Sequence, residues 1–176
     1  MDNSNSCGCS CSPEKKSNND KNLAIEFLYL DLSTCGRCQW TDTVIDESIA
    51  DIKEILGEIG YSLSLTKTHI QDEQSAKNHA FLSSPTIRIN GKDIVLQNKE
   101  SNCSSCGDYC GTEIDCRDWE WNGKTYDSPP KGMIIDAIFR AIYNKDFGQL
   151  PNFKDYKIPK NIRKFLEACS EKEEKK

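Results

Sequence analysis

The 176-residue sequence predicts a three-layer α/β sandwich with the element order β-α-β-α-β-β-α and a Cys-rich insertion before the last helix. Three observations predict it. Residues 23–32 are almost continuously apolar, the pattern of a strand covered on both faces. A long helical repeat follows directly. Two strand pairs split by Asn90-Gly91 and Asn122-Gly123 carry the strongest short hairpin signal, and an amphipathic helix comes after them.

The first strand is Leu-Ala-Ile-Glu-Phe-Leu-Tyr-Leu-Asp-Leu over residues 23–32, and Ser33-Thr34 supply helix-capping chemistry after it. Ile45, Ile49, Ile52 and Leu56 recur at helical spacing, with Asp42, Asp46, Glu47 and Asp51 on a solvated face and Gly57 and Gly60 as stop signals. Tyr61, Leu63 and Leu65 alternate with Ser62, Ser64 and Thr66, a half-buried second strand. Residues 72–81 form a short polar helix. Residues 83–89 and 92–96 are the first hairpin, and Trp119–Trp121 with Lys124–Tyr126 are the second. Pro129-Pro130 open the last helix of the sandwich, which places Ile134, Ile135, Ile138, Ala141 and Ile142 on one face. Residues 97–118 are Cys-rich and poor in apolar groups. The expected organisation is therefore a disordered Cys-containing tail over 1–22, a domain over 23–144 with its insertion at 97–118, and a partly helical extension over 145–176 with a frayed, charged end.

Charge excludes several classes. The chain has 23 Lys and Arg against 28 Asp and Glu, a net −5. A nucleic-acid binder needs a basic stripe to displace counterions, and a membrane-surface protein needs a polybasic patch. No apolar run approaches the ~20 residues of a spanning helix, and Met1–Ser6 shows no secretory signal. The expected setting is the cytoplasm. There, ten cysteines are read as metal ligands or redox groups before disulfides. Nucleotide-binding, zincin and hydrolase motifs are absent.

Cys35-Gly36-Arg37-Cys38 sits where the first strand hands over to the first helix. Unpaired amides and the positive end of the helix dipole stabilise a thiolate there, and Arg37 adds a positive charge. The i, i+3 spacing puts both sulfurs on one side of the helix. Cys35 in the exposed first turn is the expected attacking thiolate, and Cys38, one turn deeper, the resolving thiol. The alternative is half of a zinc site.

With Cys35-Gly36-Arg37-Cys38 and Ser84-Pro85-Thr86 in place, the chain resembles the thioredoxin-like superfamily, with glutaredoxin-type topology, over roughly residues 23–144 apart from the insertion. That resemblance implies a cis-proline at Pro85 facing the thiols, with Ser84 and Thr86 beside it, and Arg37, docking a sulfur-bearing substrate. More narrowly, the string from Cys35 through the insertion to Cys116-Arg117-Asp118-Trp119 resembles a functionally uncharacterised bacterial family. The sequence departs from the usual motif: Thr34 precedes Cys35, and Arg37 stands where proline is usual.

Cys103, Cys106, Cys110 and Cys116 are spaced to close around a tetrahedral ion, with Zn²⁺ the first candidate and the metal supplying folding energy to a segment short of apolar groups. Iron–sulfur ligation, two disulfides, or an electron relay to Cys35 and Cys38 are the alternatives. Cys7, Cys9 and Cys11 form a C-x-C-x-C that suits soft ions such as Cu(I), Hg(II) or As(III), or else are uninvolved thiols. His69 and His79 are too isolated for a histidine site. Trp119 and Trp121 are expected in the core or over the Cys-rich segment, and Cys169 is a spare thiol on a helix.

Two functions compete. One is thiol–disulfide exchange on a protein or low-molecular-weight disulfide, with Cys35 attacking, Cys38 resolving and Pro85 docking the substrate. The other is binding or sequestration of a soft metal or metalloid on the same fold.

Overall fold

The computed structural model describes residues 21–143 and 148–173. The expectations for Cys7, Cys9, Cys11 and residues 1–20 of the tail, and for the last residues of the charged end, lie outside the described residues. Lys21 and Asn22, expected in the disordered tail, instead open the first strand by pairing with Tyr61 and Ser62 of the second. The elements are β1 (Lys21–Tyr29), α1 (Gly36–Glu58), β2 (Tyr61–His69), α2 (Glu73–Asn78), β3 (Thr86–Ile89), β4 (Lys92–Asp93), β5 (Lys99–Asn102), α3 (Ser104–Cys110), β6 (Asp115–Trp121), β7 (Lys124–Tyr126), α4 (Lys131–Ile142) and α5 (Lys160–Glu173). The protein is α/β. One sheet has the order β2-β1-β3-β4, with β1 and β2 parallel and β3 antiparallel to β1. A second, antiparallel sheet has the order β5-β6-β7.

Strand periodicity explains the two cores. Odd positions of β1 (Leu23, Ile25, Phe27) face one side, where Ile45, Ile52 and Leu56 of α1 and Met133, Ile134 and Ile138 of α4 bury them together with Trp119. Leu28, on the opposite face, packs with Leu30, Phe81 and α5's Ile162, Phe165 and Leu166. Among the described residues the second face of β1 is covered only at this end: Ala24 is exposed and Glu26 half-buried. The acidic face of α1 is anchored at two points. Asp42 and Asp46 hold Lys67 of β2, and Glu47 and Asp51 hold Lys131 of α4.

Several boundaries differ from the sequence reading for identifiable reasons. β1 ends at Tyr29 rather than at residue 32, because Asp31 turns back to accept the Ser33 backbone N–H and hydroxyl. Asp72 caps α2 in a reciprocal capping box with Ser75. Asn90 and Gly91 take positive φ (49° and 77°) as a tight hairpin requires, but β4 stops at Asp93. There Asp93 exchanges both backbone bonds with Gln149, which takes over the edge. Gly148 makes this approach possible, since a Cβ on it would lie 2.0 Å from the Asp93 carbonyl oxygen. The insertion is ordered: it holds β5, α3 and the start of β6. The segment beyond residue 145 is more than an appendage, because α5 buries its apolar face in the same core as the cysteines.

Candidate metal centre

Two chain reversals bring the thiols together. β1 delivers Cys35 to the N-cap of α1, and the insertion delivers Cys103 to the N-cap of α3. Neither side chain caps its helix, so both sulfurs are left to face the core. Cys106 lies one turn into α3, and Cys116 projects from β6. The Sγ atoms of Cys35, Cys103, Cys106 and Cys116 all lie within 4.8 Å of one another, and all four residues are buried. Cys35 and Cys116 are 3.9 Å apart, and Cys106 and Cys116 3.6 Å. A tetrahedral ion with Zn–S bonds of about 2.3 Å separates its thiolates by about 3.8 Å. These four sulfurs therefore suit one ion at their centre. A multi-iron cluster, which places each thiolate on its own iron, would hold them farther apart. All of the described cysteines are outside disulfides.

The expected set of Cys103, Cys106, Cys110 and Cys116 is not the set the structure brings together: Cys35 takes the place of Cys110. The helix explains the exchange. Cys110 is seven residues beyond Cys103, about 10 Å along the axis of α3, so it cannot share a centre with the sulfur at the cap. It is half-buried, and burial first, then the nearby Cys169, push its thiol up to about 11. The signal was present in the sequence. Cys103-x-x-Cys106 repeats the spacing of Cys35-x-x-Cys38, and both pairs open helices.

Proton sharing within the cluster is uneven. Hydrogen bonds from Cys103 first, then from Cys106, Cys116 and Cys38, hold the Cys35 thiol far below its ordinary range against the opposing effect of burial. Cys106 and Cys116 bring Cys103 down to about 6. Cys106 and Cys116 are themselves pushed up, with the bond to Cys103 the largest cause in each. The cluster thus favours the thiolate at Cys35 and Cys103 and the thiol at Cys106 and Cys116, and a cation bound by all four would displace protons.

Cys38 stands outside the four-sulfur group. Fully buried, it lies 3.3 Å from the Ser84 hydroxyl, and its thiol is pushed up by the bond to Cys35 and by burial. Cys35 is also buried, 1% exposed, rather than sitting in an exposed first turn. The Ser84–Pro85 bond is cis. The sequence expectation has a substrate backbone docking here, but the chain's own β6 occupies the place: the Arg117 N–H donates to the Ser84 carbonyl at 2.7 Å. The Ser84 hydroxyl accepts from the Leu30 N–H, and the Thr86 hydroxyl donates to the Ser83 carbonyl, so Ser84, Pro85 and Thr86 are all enclosed.

Arg37 also has an inward task. Its guanidinium donates to the carbonyls of Cys116 and Asn102, to Ser101 Oγ and to the Asp118 carboxylate, and it pairs with Asp127. It clasps the insertion to the start of α1 instead of facing a substrate, and Asp118 offsets its charge. His69 Nε2 contacts the Leu30 carbonyl, and His79 ends α2; neither joins the thiols. Trp119 is buried in the core and Trp121 packs against Gly132, where a Cβ would come within 2.7 Å of its ring.

Fold and site together define an α/β domain that encloses a cluster of four buried cysteines drawn from two distant stretches of chain. The chain belongs to the family described as Domain of unknown function (DUF2703), whose model matches residues 23–138. No curated protein and no solved structure matches it.

Proposed function

We propose that the protein binds a single thiophilic metal ion, with Zn²⁺ the best-fitting candidate, through the thiolates of Cys35, Cys103, Cys106 and Cys116. The observation that carries this reading is the approach of four buried sulfurs to within 4.8 Å of one another. Charge supports it too, because the low Cys35 and Cys103 thiols supply two anions to a dication. The ion would lock the insertion onto the N-terminus of α1, which places its role first in holding metal and only then in any chemistry at the thiols. Soft ions such as Cu(I), Hg(II) or As(III) suit the same donors. Anaerobic purification followed by elemental analysis tests the proposal: one metal ion per chain is expected, with Co(II) substitution giving thiolate charge-transfer bands. A chain free of metal that also fails to take up Zn²⁺ or Co(II) would overturn it.

The second reading is cytoplasmic thiol–disulfide exchange on a thioredoxin-like scaffold, by Cys35 and Cys38. It is favoured by the i, i+3 thiols at the start of α1 and by Ser84, next to the cis bond, touching Cys38. Burial of Cys35 and the β6 backbone lying against Ser84 weigh against it, since an attacking thiolate must reach its disulfide. Reduction of insulin or of a glutathione mixed disulfide, compared with the Cys35→Ser variant, separates the two readings. Cys35-dependent turnover by the metal-loaded chain would favour exchange.

A further inference from the structure

A second site lies on the face of the β1–β3 pair away from α1. A cleft of about 420 Å³ opens there, lined by Glu26, Asn78, His79, Arg88, Leu150 and Phe153 among others. That volume falls within the ~300–1,000 Å³ of small-molecule sites. Glu26 and Arg88 are directly opposed in the β1–β3 register, so their side chains leave the sheet on the same face.

Asp93, opposite Arg88 in the β3–β4 register, and Glu26 both act on the Arg88 charge, but neither forms an ion pair with it among the described residues. Arg88 is 5% exposed, yet among the described residues its guanidinium makes one 3.3 Å bond, from Nη2 to the Ala80 carbonyl, and its buried Nε has no partner there. The other buried carboxylate nearby, that of Asp93, is held by both oxygens to Arg117 at 2.8 and 2.9 Å. Glu26 forms no ion pair with a cation among the described residues, Arg88 included. A buried guanidinium with donors to spare is costly unless an anion completes it. The mouth of the cleft supplies a different surface: Leu150 and Phe153 are 69% and 58% exposed.

We propose that this cleft binds a small α-amino acid with an apolar side chain: Arg88 takes the α-carboxylate, Glu26 faces the α-ammonium, and Leu150 and Phe153 cover the side chain. A guanidinium and a carboxylate that do not pair with one another match a zwitterion better than a simple anion. Glu26 also disfavours a dianion such as phosphate. The site shares no residue with the thiolate centre and does not depend on metal there.

Calorimetric titration of the full chain with L-leucine, 4-methylpentanoate and inorganic phosphate tests this. L-Leucine is expected to bind, 4-methylpentanoate to bind about tenfold more weakly for want of the ammonium, and phosphate not to bind. Arg88→Gln should abolish L-leucine binding with far-UV circular dichroism and thiol count unchanged. Glu26→Gln should weaken L-leucine to the level of 4-methylpentanoate. If Arg88→Gln does not fold, Phe153→Ala at the exposed rim replaces it and should weaken L-leucine several-fold. Absence of L-leucine binding, a preference for phosphate, or L-leucine affinity unchanged by these substitutions would overturn the proposal.

Discussion

The backbone N–H of Arg117 donates to the carbonyl of Ser84 across 2.7 Å, so β6 runs along the cis-peptide segment beside Cys38. One residue before Arg117, Cys116 meets Cys35 at 3.9 Å. A single strand of the insertion therefore both closes the face of the thiol pair and contributes a sulfur to it. This relationship makes Cys35, at a helix start, part of a closed four-thiol chamber and leaves Cys38 beside Ser84.

Loss of one of the four sulfurs should remove the metal. Cys106→Ser is expected to purify with less than a tenth of the metal of the parent chain, as read by elemental analysis. Thermal unfolding should report the same loss. Where free metal exceeds its dissociation constant a thousandfold, bound metal adds about 4 kcal/mol, and the variant forgoes that.

Cys38 and Cys110 serve as internal controls. Cys38→Ser and Cys110→Ser should each keep one metal ion per chain, because neither sulfur belongs to the four-sulfur group. A serine at position 38 can still reach the Ser84 hydroxyl, so its stability cost should be about 1 kcal/mol. Loss of metal in Cys110→Ser would restore the ligand set expected from spacing alone.

Arg37→Lys should loosen the insertion without touching a sulfur. A lysine keeps the charge but cannot span the Cys116 and Asn102 carbonyls, Ser101 and Asp118 together. The Arg37 and Asp118 side chains are only 11% and 13% exposed, so the loss should reach about 2–3 kcal/mol by denaturant unfolding. The contact with Asp127, which is 79% exposed, adds little. Faster metal release to a chelator should accompany the change.

The metal-free chain should show a definite pH dependence. Folding lowers the Cys35 thiol and brings Cys103 down to about 6, so these groups add stability that is full above the ordinary thiol range near 9. That contribution is lost as pH falls through the lowered folded values, from about pH 9 toward 6. Cys106 and Cys116 act in the opposite sense: their raised folded values cost stability once pH exceeds 9 and the unfolded chain ionises. Urea unfolding of metal-free protein between pH 6 and 10 should therefore give a maximum near 8–9. Metal affinity should fall on acidification throughout this range, since binding displaces protons from Cys106 and Cys116.

Much of the scaffold was legible from residue order. The odd positions of β1, the repeat of Ile45, Ile52 and Leu56, and the Asn90-Gly91 turn each encode their element through contacts a few residues apart, which periodicity reports directly. The insertion was not legible. α3 and β5 have few apolar groups of their own, and they are held by contacts to distant partners such as Arg37 and α5. β4 stops short of its alternating pattern for the same reason, because Gln149, far along the chain, takes over its edge at Asp93.

Thiol identity divides the same way. Sequence alone determined that Cys35 and Cys38 open a helix, that Cys103, Cys106 and Cys116 are close in the chain, and that such thiols suit a soft ion. Only the tertiary structure decided that Cys35 joins Cys103, Cys106 and Cys116, while Cys110 points elsewhere and Cys38 stays behind with Ser84. The physical reason is distance: 81 residues of chain separate Cys35 from Cys116, and no local spacing rule measures a gap closed by a strand docking across another part of the fold.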